Sequence, residues 1–389
     1  MKTKFFLTVF VALTLVATLG WSAGSALASP VCDSAFVTQS GSVITVKPTG
    51  VDDTANIQCA FDAAVASGPG VSVRLKSGTF HTAQIVVNNF QGKFTGAGAK
   101  NTVIVNLPNL NVNTDEIFFR NFPSASNPWP TVFAFVNGNF VISDLSIQIA
   151  GDKPTTGWYY FGFKFEELCH AITVIGKQAD VRVERVLVEG EPMEDSVYGY
   201  NVLNGILFAG TGYPVIPISG SFEVYDSTFR QMASGSPVAH TSHANVVIGN
   251  NIFEDVFFGM DGGDFADSSF EFSHNSVEAI IGLDLYNVYF AEDVRSSLLV
   301  KNNIFRGIIG LALEQTFGVG NQCLIQGNNV QGVTDIGIYL GPGIQGCTVI
   351  GGANKTNVLD LGTDNVLVGV NNMGTGVSPF IQHFLKPNK

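Results

Sequence analysis

Two aspartates, Asp261 and Asp284, stand in the same local setting, because each follows a glycine and one apolar residue. The apolar residues around them alternate as in a half-buried strand, which predicts that both carboxyls point outward on one face. On neighbouring strands these carboxyls would lie roughly 5 Å apart. Carboxyls that close raise one pKa, which suits either the nucleophile and acid of a retaining glycosidase or a calcium site. The alternative is that both are ordinary side chains on a solvated face.

Polar and aromatic residues elsewhere are candidates for binding a substrate near this pair. These candidates are His240, His243, Asp264, Glu314, Trp158 and Tyr160. The two histidines are predicted in a loop that overhangs the same face, or else are simple loop residues. Trp158 and Tyr160 lie in an aromatic-rich segment that either stacks on sugar rings or seals a loop against the barrel.

Further charged residues occur near the two aspartates in the chain: Glu254, Asp255, Glu292, Asp293, Arg295 and Arg306. The two arginines are the basic residues that lie nearest to the pair by repeat. A lyase would need a basic proton acceptor beside a cation-bound uronate.

A six-residue pattern recurs between residues 220 and 360, with apolar positions on both sides of a polar pair. Aligned on its fourth position, the copies fall at Ser227, Asn251, Asn275, Asn303, Asn328 and Gly352. The steps of 24, 24, 28, 25 and 24 residues indicate a solenoid. Asparagine tolerates a left-handed backbone and suits a sharp bend, and stacked asparagines would form a ladder of amide hydrogen bonds.

A second strand with a recurring glycine follows each bend. Coils of 24 to 28 residues fit three short strands, so the predicted fold class is all-β, a single-stranded right-handed parallel β-helix. An antiparallel β-sandwich is the alternative, but sandwiches do not repeat one hexapeptide at a fixed period. Long loops are predicted over residues 106–129, 151–169 and 189–220, and such insertions often carry binding.

Five cysteines leave at least one thiol free or paired between chains. Cys323 and Cys347 fall at the same position of successive coils. The coil spacing of about 4.8 Å allows either a disulfide or two stacked free cysteines.

Residues 52–80 combine an amphipathic helix with a strand, which together would cap the open end of a β-helix. Asp53 or Thr54 is the expected N-cap, and the apolar face consists of Ile57, Ala60, Phe61, Ala64 and Val65. The run Asp-Asp-Thr-Ala-Asn-Ile-Gln-Cys-Ala-Phe-Asp-Ala-Ala, followed by Gly-Val-Ser-Val-Arg-Leu-Lys-Ser-Gly-Thr-Phe, resembles the N-terminal segment of the pectate-lyase-3 type family. The resemblance implies the pectate-lyase-like β-helix fold over most of the chain. It is specific for architecture and weak for activity.

Signatures of that superfamily's best-known enzymes are incomplete. The polygalacturonase-like motif N-T-D has a counterpart at Asn113-Thr114-Asp115, but the D-D and G-H-G motifs that should follow are absent. The R-x-K counterpart, Arg74-Leu75-Lys76, precedes it in the wrong order. The W-x-D-H and R-x-P-x-x-R runs of classical pectate lyases and the D-P-H-D run of alginate epimerases are also missing.

The beginning of the chain indicates export. Residues 1–28 have two lysines, an apolar run and an Ala-Leu-Ala cleavage site, as in a signal peptide, with an uncleaved anchor as the alternative. The remaining residues, 29–389, are expected to form one β-helix domain that is extracellular, periplasmic or attached to the cell surface. No membrane insertion is expected after removal of the signal.

A net charge of −12 makes nucleic acid a poor partner. The favoured hypothesis is a monomeric secreted protein that binds and cleaves a polysaccharide, as lyase or glycoside hydrolase. The alternative is a non-catalytic surface or adhesive β-helix that binds glycan or has a structural role. No cofactor is expected with certainty, although calcium would suit the acidic pair.

Overall fold

A computed structural model describes residues 32–107, 131–150, 157–160, 163–166, 169–192, 200, 202–210, 216–286, 296–314, 322–352 and 356–374. The predicted signal peptide, the Asn113-Thr114-Asp115 run, and the predicted neighbours Glu292, Asp293 and Arg295 lie outside these residues. The domain that the sequence predicts over residues 29–389 is described from residue 32 to residue 374, with the gaps given above.

The described residues form one α-helix, α1 (Thr54–Ser67), and 27 strands. The first thirteen strands are β1 (Val37–Ser40), β2 (Val43–Val46), β3 (Val71–Leu75), β4 (Gly78–Thr82), β5 (Ile85–Thr95), β6 (Thr102–Asn106), β7 (Thr131–Ser143), β8 (Ser146–Gln148), β9 (Gly157–Tyr160), β10 (Phe163–Glu166), β11 (Cys169–Glu184), β12 (Leu187–Glu189) and β13 (Val202–Ala209). The others are β14 (Ile218–Tyr225), β15 (Thr228–Ser234), β16 (Val238–Gly249), β17 (Ile252–Ala266), β18 (Ser269–Ser273), β19 (Ser276–Tyr286), β20 (Ser297–Lys301), β21 (Ile304–Leu313), β22 (Gln322–Gln326), β23 (Asn329–Leu340), β24 (Thr348–Ile350), β25 (Thr356–Asp360), β26 (Val366–Val368) and β27 (Val370–Asn372).

The strands stack as parallel neighbours into three long sheets, which confirms the predicted β-helix. Sheet 1 joins β2, β3, β5, β7, β11, β14, β16, β18, β20, β22, β24 and β26. Sheet 2 runs from β4 through β8, β12 and β15 to β23. Sheet 3 starts with the first half of β5 and passes through β13 and β17 to β27. Because long strands such as β17 bend from one sheet into the next, one apolar core continues from Val37 to Val358.

The bend between sheets 1 and 2 carries the predicted asparagine ladder. The Nδ2 group of Asn251 donates to Asn275 Oδ1 (3.1 Å), Asn275 donates to Asn303 (3.1 Å), and Asn303 donates to Asn328 (2.9 Å). All four asparagines are at most 4% exposed. The residue before each ladder position has a positive φ, as at Asn250 (58°), which is the left-handed bend that the pattern predicted.

Helix α1 forms where the sequence predicts it and packs onto the first coils. Phe61 lies edge-on against Phe90 and Phe94, with ring centroids 5.2 and 5.0 Å away. Val65, which was placed on the apolar face, is 38% exposed, so that assignment is wrong. Asp53 is the N-cap residue, but its carboxylate accepts from the backbone NH groups of Thr49 and His81 rather than capping the helix.

Two disulfides cross-link the chain, which points to an oxidising compartment. Cys323–Cys347 joins adjacent coils at a Cα separation of 4.6 Å and decides between the two sequence alternatives. Cys32–Cys59 ties the start of the described chain to α1.

In the part of the chain that the structure describes, α1 is the one helix, and it does not have the length and apolar character of a membrane span.

The predicted loop over residues 189–220 is wrong, because it contains β13, a strand of sheet 3. Its periodicity escaped notice because the early coils are 41 residues apart in sheet 1, rather than 24.

Candidate functional site

Asp261 and Asp284 are direct neighbours on sheet 3. They pair in register between β17 and β19, and the next residue in that row is Ala312 on β21. Met260 before Asp261, and Leu283 and Leu285 on both sides of Asp284, face the core, so both carboxyls project from the outer face of the coil. The 23-residue step between them is explained by a β-bulge after Phe253, where β17 has one more residue than β19.

The two carboxyls differ in their surroundings. Asp284 is 0% exposed, and neither of its oxygens accepts a hydrogen bond from any residue that the structure describes. Asp261 is partly exposed, and its Oδ1 accepts a hydrogen bond from the hydroxyl of Ser234 on β15. An ordinary solvated face therefore does not describe Asp284.

Burial raises the pKa of Asp284 well above its usual range, and the nearby charges of Glu314 and Asp261 raise it further. Burial also raises the pKa of Asp261, while the Ser234 hydroxyl opposes that shift by stabilising the ionised form. Asp284 is therefore the carboxyl of the pair that binds a proton more readily.

Glu314 directly follows β21 and adds a third carboxyl to this surface. Its side chain is partly exposed, and burial of the remainder raises its pKa. Tyr339 pairs with Ala312 in the row of Asp261 and Asp284. Burial and the charge of Glu314 raise the pKa of Tyr339 to about 12, so its hydroxyl stays protonated and able to donate.

His240 on β16 and Asp264 on β17 form a second pair, in which Asp264 lies three residues after Asp261 on the same strand. The Nδ1 atom of His240 lies 2.9 Å from Oδ2 of Asp264, which is 1% exposed. His243 is 75% exposed and lines a different surface together with Asp267. The predicted histidine loop is wrong, since both histidines belong to β16 at positions with positive φ. His243 therefore does not belong to the cluster of acidic residues around Asp261 and Asp284.

The remaining predicted residues lie apart from the pair or cannot be placed beside it. Trp158 and Tyr160 lie on β9, which pairs with β10, and their side chains are outside the described part of the structure. Arg306 pairs with Glu278 on sheet 2, away from the row of carboxyls. Glu254 also lies on sheet 2. Asp255 accepts a hydrogen bond from the hydroxyl of Tyr200 (3.0 Å).

A line of buried polar side chains leads to Asp261 and was missed from the sequence. Thr131, His170, Asn204 and Ser234 occupy one register position on four successive strands. His170 Nδ1 lies 3.0 Å from the Asn204 side-chain nitrogen, and burial lowers the pKa of His170 to about 3. Neutral His170 therefore accepts from Asn204 through Nδ1. The irregular spacing of the early coils conceals this alignment, and no hexapeptide marks it.

Metal binding by the acidic pair stays a sequence prediction. Within the described ranges, no group of three or more histidine, cysteine, aspartate or glutamate residues is placed to hold a metal ion.

No family model matches the chain, and no curated protein matches it. Among solved structures, it is similar to a polygalacturonase from Erwinia carotovora (12% identity, 87% of this chain and 97% of that one, TM-score 0.42). It is also similar to the tailspike protein gp49 of Acinetobacter baumannii bacteriophage Fri1, a capsular polysaccharide depolymerase (11%, 88% and 65%, TM-score 0.44). A third similar structure is PfbA, a surface adhesin of Streptococcus pneumoniae (12%, 85% and 91%, TM-score 0.34). Such similarity concerns architecture and assigns no activity. The strand pairing itself confirms the expected parallel β-helix.

Proposed function

We propose that this protein is an exported glycoside hydrolase that cleaves a polysaccharide, with Asp261 and Asp284 as its catalytic carboxyls. The observation that carries the proposal is the in-register pair, in which one carboxyl is buried without a partner and the other is partly exposed and held by Ser234. Because their environments differ in this way, one carboxyl keeps its proton and can act as the acid, while the other stays ionised and can act as the nucleophile.

In the proposed reaction, protonated Asp284 donates its proton to the glycosidic oxygen as the bond to the leaving sugar breaks. Ionised Asp261 attacks the anomeric carbon and forms a glycosyl ester. Asp284, now ionised, takes a proton from water, which hydrolyses the ester and restores both carboxyls. The strand spacing of about 4.8 Å matches the close carboxyls of retaining enzymes, which form such an intermediate.

Hydrolysis is favoured over a lyase reaction by the charges of the site. A lyase removes a proton beside a uronate carboxylate and needs positive charge there. In the described residues, no lysine or arginine is paired with Asp261, Asp284 or Glu314, and burial makes these groups harder to ionise.

Export is part of the proposal. The predicted signal peptide supports secretion, and the two disulfides are of the kind that persists in an oxidising compartment. The relevant site of action would be outside the cytoplasm, where structural polysaccharides occur. A monomer that does not bind nucleic acid remains the expectation.

The proposal is tested by incubating the mature protein with a panel of neutral and anionic polysaccharides, with and without calcium. New reducing ends and ultraviolet absorbance from unsaturated products are measured. We expect reducing ends without absorbance, and loss of cleavage in Asp261→Asn and Asp284→Asn. Cleavage with absorbance would identify a lyase instead, and cleavage that survives both substitutions would remove the pair from the active site.

The complete burial of Asp284 favours a second candidate function, a non-catalytic β-helix that binds glycan at a surface. It predicts glycan binding without cleavage of any substrate. Asp261→Asn would then leave binding unchanged.

A further inference from the structure

A row of mostly uncharged polar side chains runs along the outside of sheet 1, far from the carboxyl pair in each coil. Its first half occupies one register position on four neighbouring strands: Gln91, Asn139, Asp180 and Ser221. Its second half continues that position on the next four strands: Asn245, Ser269, Ser297 and Gln322. All eight side chains are partly or fully exposed. We call these eight residues the polar row.

Two surface depressions lie along the polar row, one over each half. The first, of about 450 Å³, adds Asn137 and Gln178 to its lining. The second, of about 560 Å³, adds His243 and Asp267. Gly220 lines the second depression at a φ of 108°, and a Cβ there would overlap the backbone of Ala179.

The polar row differs in charge from its neighbours on the same sheet. Two residues further along the strands, the equivalent row has four charged and four apolar members: Lys93, Val141, Arg182, Glu223, Val247, Glu271, Leu299 and Leu324. In the polar row the only formal charge is on Asp180, and its other members are amides and hydroxyls. Charged side chains would keep this surface solvated equally well. The preference for uncharged amides and hydroxyls in the polar row therefore indicates a ligand that is bound by uncharged hydrogen-bonding groups.

Much of the hydrogen-bonding capacity of this surface is unused within the chain. Two contacts lie inside the polar row, from Ser221 to Asp180 (3.0 Å) and from Ser269 to Asn245 (2.6 Å). The side chains of Gln91, Asn139 and Gln322 make no hydrogen bond to any residue that the structure describes. Amides both donate and accept, as the hydroxyls of a sugar do.

We propose that the polar row is a binding surface for a neutral polysaccharide lying along the axis of the β-helix. Seven steps of about 4.8 Å give it a length of ~34 Å, and each coil offers an equivalent polar group to a successive sugar unit. Anionic chains are disfavoured because the protein carries a net charge of −12 and neither depression is lined by lysine or arginine. The proposal shares its ligand class with the proposed hydrolase but does not depend on the carboxyl pair.

Affinity electrophoresis tests this surface without interference from cleavage. The Asp284→Asn protein is run in gels that contain β-glucan, α-glucan, xylan or mannan, and in gels that contain polygalacturonate or alginate. We expect at least one neutral polymer to retard it and neither anionic polymer to do so. With oligosaccharides of the retarding polymer, affinity should rise with length up to about seven units, because each unit adds a weak contact.

Substitutions locate the binding. Gln91→Ala with Asn139→Ala should weaken binding about tenfold, since each removes an unshared hydrogen-bonding group. The matched control, Asn329→Ala with Gln331→Ala, changes the same residue types at exposed positions on sheet 2 and should leave binding intact.

The proposal is overturned if no neutral polymer retards the protein, if an anionic polymer binds more tightly, or if the control weakens binding as much as the double substitution. If a neutral polymer retards the protein but the wild-type protein cleaves none, the hydrolase proposal is refuted and the proposed binding by the polar row is retained.

Discussion

The asparagine ladder and the carboxyl pair are two stacks of buried polar side chains on the same coils. In the ladder, Asn275 accepts from Asn251 and donates to Asn303, so each amide meets its neighbours. In the pair, Asp284 is equally buried but has no hydrogen-bond partner in the described structure. An amide has donors and acceptors and can stack on copies of itself, whereas an ionised carboxylate has only acceptors. The ladder therefore stabilises the fold. The pair, in contrast, lowers the stability of the folded state, and a catalytic or binding function would explain why it is present.

The largest expected effect separates the roles within the pair. Asp284→Asn should lower hydrolysis by about 10²–10⁴-fold, because the amide cannot donate an acidic proton. Asp261→Ala should lose as much, but added azide should restore bond cleavage and yield a glycosyl azide of inverted anomeric configuration, because azide takes the place of the missing nucleophile. Both are followed by product analysis on the substrate identified in the polysaccharide panel.

An exposed change such as Asp62→Asn on α1 is the matched control and should leave the rate unaltered. An azide of inverted configuration from Asp284→Asn, rather than from Asp261→Ala, would reverse the two roles.

Replacing an amide by a carboxyl in the ladder, and a carboxyl by an amide in the pair, should change the free energy of unfolding in different ways. Asn275→Asp places a carboxyl in the ladder, removes the donor to Ile248 O (2.9 Å), and should lower the free energy of unfolding by about 3 kcal/mol. Asp284→Asn should leave stability unchanged or higher, because it replaces a buried carboxyl by a neutral isostere. Denaturant unfolding of both variants, with Asn329→Asp as the exposed control, measures the difference. Equal destabilisation of both would contradict this contrast.

The pH dependence of stability should distinguish Asp284 from the ladder. Its folded pKa is raised above its unfolded pKa, so the native state binds the proton more tightly and the protein loses stability as pH rises through that interval. The slope is at most about 1.4 kcal/mol per pH unit for one proton. Unfolding of wild type and Asp284→Asn from pH 4 to pH 8 should show a steeper loss in the wild type, because the raised pKa values of Asp261 and Glu314 give both proteins a common loss. A parallel slope in both proteins would assign it to other groups.

The smallest expected effect concerns the hydroxyl that keeps Asp261 ionised. Ser234→Ala should raise the pKa of Asp261 and lower the rate at neutral pH by about tenfold, since a hydrogen bond to a charged group is lost. The acidic limb of the pH–rate profile should move to higher pH, and Ser234→Thr should move it back. A lower rate with an unmoved profile would indicate loss of packing alone.

The repeat of residues 227–352 was enough to predict coil spacing, the ladder and the pairing of Asp261 with Asp284, because stacking converts equal sequence position into contact. The histidines were misplaced because a left-handed bend inside a strand looks like a loop in sequence, as at His240. The line from Thr131 to Ser234 was missed because insertions of variable length separate coils that are adjacent in space.

The parallel β-helix follows from the amino-acid pattern, because the period of the apolar residues and asparagines leaves few other ways to bury them. The burial of Asp284 beside Asp261 and Glu314, and the contact between Ser234 and Asp261, became known from the three-dimensional arrangement of the coils. Burial and proton affinity depend on groups from several coils at once, and a pattern along one coil does not contain them.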